Sequence, residues 1–521
     1  MNSMALPTAA VAVSEAPHAG ASKRPLVGLL GIFLAAMMAG LNIRVGALAL
    51  ADVRGALGFG LDDASWLTTA HSAGELIAMP FAAWFAMTLS VRRLELWVLG
   101  TCTALAAILP FIRDLDLLLA LRFVQGLASG MTIPLLMMAA LKFLPPSIRL
   151  YGLALYAMTA TFAPNLSIWL AGHWTDGLQD WRWVYWQIIP LACIAAALIG
   201  WGLPKEPIQP QRFGHANWLG MAFAVPAFGL ITVALDQGTR LDWFNSPLVT
   251  SSLLAGLALL VIYLLTEWYH PSPFIKLQVL GRRNLGLGCT LFLCLLVVLM
   301  SSSLLPASYL ATLQDYRPFQ MASIGLIVAL PQLILGPLVA LLLYQKWVDA
   351  RLVFAAGLCL IALACLCGAQ LTSDWNREQF VLAQTLQSLG QPMAVVSMLF
   401  LITSVVQPAE GPFFSGTINT VRAFGSLAGA ALVGQLMVLR ARFHSEMLLD
   451  HTAMVGGALP SMPDPQQLMM LIGGQALVLS IADAYRVLGA LAVLLIPLVL
   501  RLSFIPAPVI RAASPPSSSH R

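Results

Sequence analysis

Charged residues are scarce in this chain. Only 10% of its 521 residues are Asp, Glu, Lys or Arg, whereas 59% are hydrophobic; a soluble globular protein carries roughly 25% charged residues. A water-soluble fold of this length could not bury so much apolar surface, but a lipid bilayer accommodates it. The composition therefore predicts an integral membrane protein, and the net charge of +5 does not indicate a nucleic-acid partner.

Features typical of catalytic and cofactor sites are also missing. All seven cysteines fall inside apolar runs without a cluster of His or carboxylates nearby. We therefore expect small buried side chains and neither a disulfide framework nor a metal site. The chain has no G-x-x-x-x-G-K-[ST] loop, which argues against an ATP-driven pump. No nucleophile constellation is present, so we predict no enzyme activity and no cofactor.

Long apolar runs are what the chain has instead. A transmembrane helix needs about 20 mostly apolar residues, and fourteen runs meet this condition, so we predict an all-α integral membrane fold. The first run follows Lys23 and Arg24 and is too long for the apolar region of a cleavable signal peptide. The predicted spans lie near residues 26–50, 64–86, 95–112, 116–142, 149–172, 182–203, 216–236, 247–267, 285–312, 321–344, 351–371, 379–404, 411–438 and 482–504.

The distribution of Lys and Arg predicts the orientation of these spans. Cytoplasmic loops of membrane proteins are enriched in both residues. With both termini inside, the cytoplasmic segments hold about 16 Lys and Arg and the opposite side about 8, while the aspartates concentrate outside. An odd number of spans would destroy this alternation. We therefore predict an even count with both termini cytoplasmic.

Two loops suggest an internal repeat. Arg92 and Arg93 lie in a tight loop after the second span, and Lys346 to Arg351 in a similar loop after the tenth; the preceding spans carry Pro80 and Pro331. Internal repeats are common in secondary transporters. The predicted organisation is a disordered cytoplasmic N-terminus (1–25), a six-helix bundle (26–203), a linker with two additional helices (204–284), a second six-helix bundle (285–504) with a long periplasmic loop (about 439–481), and a disordered cytoplasmic tail (505–521).

Four motifs, in order along the chain, resemble those of a known family. They are Leu118-x-x-x-Arg122-x-x-Gln125-Gly126-x-x-Ser129-Gly130, the link from His173-Trp174-Thr175-Asp176 to Trp181-Arg182-Trp183, Leu235-Asp236-Gln237-Gly238, and Arg282-Arg283-Asn284. The chain, over about residues 26–505, resembles the fourteen-span drug:proton antiporter branch of the major facilitator superfamily, of the EmrB/QacA type. This resemblance implies two pseudo-symmetric six-helix bundles plus two extra helices.

Other positions depart from the family pattern. The first span usually carries Leu-Asp-x-Thr, and here it is Leu41-Asn42-Ile43-Arg44. In the loop after the second span only Arg92 and Arg93 remain of the usual motif, with Ser90 at a position where the family has glycine. The fifth-span motif keeps Ala163-Pro164 but has lost its second Gly-Pro. These losses bear on transport direction and proton coupling, and not on the fold.

Few charges lie inside the spans, and these are the first candidates for function. Glu75 is the acidic residue expected well inside a span, and His71 lies one turn away on the same predicted helix face. Arg122 matches the family's membrane-embedded arginine, which the resemblance ties to coupling or to substrate; a structural role in bonding to the backbone is the alternative for it. We predict that proton coupling involves Glu75, His71 and Arg122; a static pair between Glu75 and an arginine is the alternative.

A second group of polar residues predicts the substrate cavity. The candidates on the first, fourth, twelfth and thirteenth spans are Asn42, Arg44, Gln125, Gln384, Gln387, Asn419 and Arg422. Amides on membrane helices also serve as hydrogen bonds between helices, and that alternative stays open. Asp483 and Arg486, at i and i+3, are expected to form a local pair. The excess of arginine favours neutral or anionic cargo over cations.

We therefore expect a secondary transporter in the bacterial inner membrane that exports amphipathic organic compounds, of multidrug or aromatic-acid type, in exchange for protons by alternating access. Its expected partners are a small amphipathic substrate, protons and the lipid bilayer. A periplasmic adaptor protein of a tripartite efflux pump is a further partner left open. The alternatives are a specialised importer or exporter that has lost the usual coupling, and a membrane sensor without transport.

Overall fold

A computed structural model describes residues 24–145, 147–455 and 464–507. The predicted disorder of residues 1–23 and 508–521 lies outside these ranges. Sixteen α-helices occur in the described chain: α1 Pro25–Leu48, α2 Leu50–Leu57, α3 Leu61–Leu89, α4 Val91–Ile108, α5 Leu115–Phe143, α6 Arg149–Gly172, α7 Trp183–Trp186, α8 Ile188–Gly202, α9 Trp218–Gln237, α10 Pro247–Tyr269, α11 Arg283–Leu313, α12 Pro318–Leu343, α13 Ala350–Gly368, α14 Val381–Thr403, α15 Gly411–Val455 and α16 Pro465–Leu500.

Fourteen stretches of the described chain are helical, long enough and apolar enough to cross a bilayer, which confirms the predicted number of spans. The short helices α2 and α7 lie beside the ends of α1 and α8. A helix pairs all of its backbone groups internally, which is the condition for crossing a layer without water. We call the end where α1 begins and α16 ends the basal end, and the opposite end the distal end.

The spanning helices form two bundles of six and an inserted pair. Helices α1 to α8 form the first bundle and α11 to α16 the second, while α9 packs on α3 of the first and α10 packs on α9. Aromatic side chains contribute to this attachment, because Phe81 of α3 contacts Tyr263 of α10, and Phe81 and Trp84 contact Phe274 edge-to-face. The bundles meet mainly where α6 packs on α12 and α3 on α15.

The tight turn between α3 and α4 contains a residue in a conformation that favours glycine. Ser90 is the single residue between the two helices, and its φ is +79°. This left-handed region favours glycine, since a Cβ atom there costs roughly 1–2 kcal/mol. Ser90 occupies the position at which the family pattern has glycine, so the chain keeps the tight turn without the residue best suited to it.

The prediction of a loop at about 439–481 is wrong for residues 439–455 and 465–481, which are helical; residues 456–463 lie outside the described ranges, and the periplasmic side stays a prediction. Helix α15 continues to Val455 and α16 begins at Pro465, so both spans extend beyond the distal end as one helical hairpin. No Gly or Pro occurs between Gly434 and Gly456, and nothing therefore stops the helix earlier. The base of the hairpin is held by Asp483, whose carboxylate accepts from Arg440 at 2.7 Å and lies 2.7 Å from His444.

Candidate functional site

A cavity of about 220 Å³ lies between the two bundles. We call it the central cavity. Three charged side chains line it: Arg44 of α1, Glu75 near the midpoint of α3, and Arg422 of α15. Polar groups from both bundles complete the wall, and they are Ser72, Thr159, Asn165, Ser302, Ser303, Gln391 and Ser426. Because a charge in the membrane is costly, this group of three is the first candidate for a functional site.

Close packing of α3 on α5 sets the position of Glu75. A Cβ atom on Gly126 would lie 2.1 Å from the carbonyl oxygen of His71, and one on Gly130 would lie 2.5 Å from that of Glu75. Gly74 of α3 approaches the α5 backbone just as closely. Such distances exclude any larger residue, and small residues at membrane helix interfaces allow this approach. The side chain of Glu75 is therefore held at a fixed depth on the cavity wall.

The three charged groups of the cavity are not paired with one another. Glu75 and Arg44 have no hydrogen bond or ion pair within the described residues. Arg422 Nη1 donates to Thr159 Oγ1 at 2.5 Å, and its guanidinium lies 5.4 Å from the ring centre of Tyr156. With Glu75 ionised, two arginines and one carboxylate leave the wall with a net charge of +1. Arg44 keeps free donors that face the cavity.

The other polar candidates of the first bundle lie inside that bundle and not on the cavity wall. His71 is 0% exposed, and its Nε2 lies 3.2 Å from Asn42 Nδ2 and 3.3 Å from Ser129 Oγ. Arg122 Nη1 donates to Gln125 Oε1 at 2.7 Å. His71 and Glu75 are one helical turn apart, but the narrow cavity admits only Glu75. The coupling roles of His71 and Arg122 stay predictions.

Three amides of the second bundle make hydrogen bonds between or along helices. The bonds run from Gln384 Nε2 to the carbonyl oxygen of Ser302 (2.8 Å), from Gln387 Nε2 to Ser301 Oγ (2.8 Å), from Tyr156 Oη to Asn419 Oδ1 (2.9 Å) and from Asn419 Nδ2 to the carbonyl oxygen of Ser415 (2.8 Å). On the twelfth span it is Gln391, one turn further on, that reaches the cavity. The geometry thus favours a role in hydrogen bonds between helices, rather than in contact with substrate, for Gln384, Gln387 and Asn419. Arg486 donates to Asp483 at 2.7 Å, as expected.

Sequence reasoning missed a second buried acid. Glu95 of α4 is 0% exposed, and neither of its carboxylate oxygens has a hydrogen-bond partner in the described chain. It lies two residues after Arg93, where the predicted span 95–112 begins. A position at the start of an apolar run carries no signal that distinguishes a solvated acid from a buried one. Glu95 does not line the central cavity.

The distal end between the bundles is closed. A Cβ atom on Gly172, the last residue of α6, would lie 2.3 Å from the backbone nitrogen of Phe319 on α12; one on Gly325 of α12, at the level of the central cavity wall, would lie 2.2 Å from the carbonyl oxygen of Asn165 on α6. Arg317 bridges the bundles, with its Nη2 2.8 Å from Asp52 Oδ1 and its Nε 2.5 Å from Asp176 Oδ1. These hydrogen bonds raise the pKa of the Arg317 guanidinium, which stays charged over the working range of pH.

The basal end contains a larger cavity. It measures about 600 Å³ and is lined by both bundles and by the segment after α8. We call it the basal cavity, and its wall consists of Met87, Met138, Leu141, Lys142, Arg149, Glu206, Pro207, Gln209, Arg212, Thr403, Val406, Gln407, Ala409, Gly411 and Pro412. A hydrogen bond from Leu150 N to Tyr344 Oη, 3.2 Å long, still joins the bundles beside it.

Comparisons with known proteins agree with this architecture. Residues 32–281 match the family model described as Major Facilitator Superfamily. The chain is 23% identical to the multidrug export protein EmrB of Haemophilus influenzae, over 81% of this chain and 82% of that protein, and 24% identical to the fatty acid resistance protein FarB of Neisseria gonorrhoeae, over the same shares.

Solved structures show the same fold. The human organic anion transporter MFSD10 superposes with a TM-score of 0.56 at 14% identity, covering 91% of this chain and 99% of that one. The proton:xylose symporter XylE superposes with a TM-score of 0.53 at 11% identity, covering 93% and 97%. At these identities the likeness concerns the fold alone.

Proposed function

We propose that the chain is a transporter of the major facilitator superfamily, whose model matches residues 32–281, and that it exports amphipathic organic compounds in exchange for protons. Transporters of this fold expose one central site to the two sides of the membrane in turn, by rocking one bundle against the other. The observation that carries the proposal is the central cavity, which both bundles enclose and which holds Glu75, Arg44 and Arg422.

Glu75 is the proposed proton-binding group. Arginine stays protonated at any working pH, so Arg44 and Arg422 tune a neighbour and do not carry the proton themselves. Among the described residues Glu75 has no ion pair in the present arrangement, in which the distal end is closed. Loss of its proton on the basal side leaves a carboxylate that attracts both arginines across the cavity. That attraction favours an arrangement of the bundles other than the distally closed one. A proton that reaches Glu75 from the distal side removes the attraction and restores the distally closed arrangement.

The cargo is proposed to be neutral or weakly acidic. The sequence counted four arginines against one glutamate within the membrane, but the structure removes two of the four from the cavity. Arg122 lies inside the first bundle with Gln125, and Arg486 pairs with Asp483. The cavity keeps a net charge of +1 with Glu75 ionised and of +2 with Glu75 protonated, and a positive wall of low dielectric favours anions over cations. The name of FarB, which refers to fatty acid resistance, supports the same choice.

Transport into proteoliposomes tests the proton site. Glu75→Gln keeps the volume of the side chain and mimics its protonated state. We expect the variant to insert and fold normally, and to lose substrate movement driven by an imposed pH gradient down to the level of empty liposomes. Exchange of labelled for unlabelled substrate without a gradient should persist, because that exchange needs no proton release.

Glu95→Gln is the matched control, since it neutralises a buried acid outside the cavity. It should transport as the unaltered protein does. A full gradient response in Glu75→Gln would place the proton site elsewhere and reject the assignment. Strong resistance of overexpressing cells to cationic dyes, with none to organic acids, would reject the proposed cargo.

The basal end is proposed to face the bacterial cytoplasm. Lys and Arg are more numerous there, and this bias sets orientation. Reporter fusions near Pro207 and near Ser461, a position outside the described residues, should report cytoplasm and periplasm respectively. The projecting hairpin of α15 and α16 would then reach into the periplasm. This is where a periplasmic adaptor of a tripartite pump, if the protein works with one, is proposed to bind.

A further inference from the structure

We infer that the basal cavity is a second binding site, which holds the anionic head of an amphiphile before it reaches the central cavity. This inference rests on the proposed function, because it concerns the same cargo on its way through the protein. The two cavities lie along one helix, since Glu75 and Met87 of α3 line the central and the basal cavity respectively. Twelve residues separate them, or about 18 Å of helix.

The charges of the basal cavity favour an anion. Lys142 is neutralised by Glu206, whose carboxylate lies 2.8 Å from its Nζ. Arg149 and Arg212 also line the cavity, and neither forms an ion pair within the described residues. The wall therefore carries two uncompensated positive charges. Arginine presents its donors in a planar fork that matches a carboxylate.

Both guanidinium groups keep donors to spare. Arg149 Nε is buried without a partner, and Nη2 has only a long contact of 3.5 Å with the carbonyl oxygen of Leu144. Arg212 donates from Nε to Gln209 at 2.7 Å and from Nη1 to the sulfur of Met87 at 3.4 Å. Arg149 Nε has no surface in the cavity, but a guanidinium carries five N–H donors, and the bonds described leave terminal donors of both arginines for a carboxylate in the cavity.

The remaining wall suits an aliphatic or aromatic tail. Met87, Met138 and Leu141 line it from the first bundle, and Val406 and Pro412 from the second. The volume of about 600 Å³ falls within the range of roughly 300–1,000 Å³ usual for small-molecule sites. The central cavity, at about 220 Å³, is smaller than that range in this conformation. An amphiphile that reaches the basal end therefore finds space there first.

Photoaffinity labelling tests the inference. The probe is decanoic acid with a diazirine on its chain, applied to the full-length protein in phosphatidylcholine nanodiscs, with adducts located by mass spectrometry. We expect adducts at Met138, Leu141 or Val406 for the basal cavity, and at Met79 or Leu427 for the central one. The corresponding diazirine alcohol should label the basal residues about tenfold less, because it lacks the charge that the arginines bind.

The double variant Arg149→Gln/Arg212→Gln should lower basal labelling by about tenfold or more while adducts at the central cavity remain. Arg93→Gln/Lys346→Gln is the matched control, since it removes two exposed basal charges that do not line the cavity. Unchanged basal labelling in the first variant would overturn the inference.

The pattern of adducts separates this inference from the proposed function. Adducts confined to the central cavity overturn the second site and leave the exporter intact, whereas adducts at neither cavity overturn both the site and the proposed cargo. A lipid headgroup presents the same chemistry as the cargo. If phosphatidylglycerol in the nanodisc suppresses basal labelling and excess unlabelled decanoate does not, a lipid occupies the site and the inference is wrong.

Discussion

The two bundles meet in different ways at the two ends of the molecule. From the central cavity to the distal end they touch backbone to backbone at Gly325 and Gly172, and Arg317 bridges them. At the basal end the helix ends that carry Lys142, Arg149 and Gly411 stand around the basal cavity. At the distal end the backbones of the two bundles touch at glycines, which leaves no space between them. At the basal end longer charged side chains separate the helix ends and leave a cavity. The difference identifies a conformation that is closed distally.

The largest effect is expected from breaking the glycine contact between α6 and α12. A side chain in Gly325→Leu would collide with the α6 backbone, because even a Cβ atom would lie 2.2 Å from Asn165 O. We expect the distal end to stay open and transport to fall to background. A cysteine introduced as Ser303→Cys on the central cavity should become reactive to a membrane-impermeant maleimide added from the distal side.

Gly200→Leu is the control for this substitution, because a Cβ atom on Gly200 of α8 meets nothing within 4 Å. It should transport normally and leave the introduced cysteine protected from the distal side. Normal transport by Gly325→Leu would show that the α6–α12 contact is not the distal closure.

A smaller effect is expected from removing the ionic bridge. Arg317→Gln loses the pairs with Asp52 and Asp176, and exposed pairs contribute about 0.2–1 kcal/mol each. We expect the distally open population, measured by the labelling rate of the same introduced cysteine, to rise roughly fivefold. High salt should produce part of this rise in the unaltered protein, since salt screens exposed charges.

Arg377→Gln, which removes an exposed distal arginine, provides the comparison for Arg317→Gln and should not change the labelling rate. Equal rates for the two variants would mean that the bridge contributes nothing to closure.

The smallest effect on transport is expected from substituting Glu95, which lies at neither end of the contact between the two bundles. Glu95→Leu replaces a buried carboxyl without a partner, a group that costs about 1–3 kcal/mol. Its melting temperature in detergent should rise while its transport stays unchanged. A fall in transport would give Glu95 a part in the cycle, and a fall in melting temperature would mean that the carboxyl has a partner in the membrane.

The sequence predicted the helices well because membrane spans are set by length and composition, which local reading captures. It failed at α15, which continues to Val455 and carries Arg440 and His444 beyond the predicted end of the span at residue 438. Their partner, Asp483, lies 39 or more positions further along the chain. A sequence pattern within one segment therefore could not show that Asp483 pairs with the charged residues of the continued helix.

The candidate site was predicted only in part, and for a similar reason. Charge inside a span identified Arg44, Glu75 and Arg422, which the structure brings to one cavity. Helix periodicity also placed His71 beside Glu75, but close packing of α3 on α5 turns His71 into the first bundle. Which face of a helix meets the cavity depends on its neighbours, and a single sequence does not contain that information. For the same reason the sequence did not predict that Glu95 is buried or that the basal cavity exists.

Helix α15 is long enough to amplify a small rotation of the second bundle into a large displacement of its tip. Arg422 lies on the central cavity and Val455 is the last residue of the helix, so about 50 Å of helix extends from the cavity to the tip. If the second bundle turns as a rigid body about the cavity, each degree of rotation moves that tip by about 0.9 Å over this length. A rearrangement of side chains around Glu75 therefore becomes a displacement of several ångströms outside the membrane, where another protein can detect it.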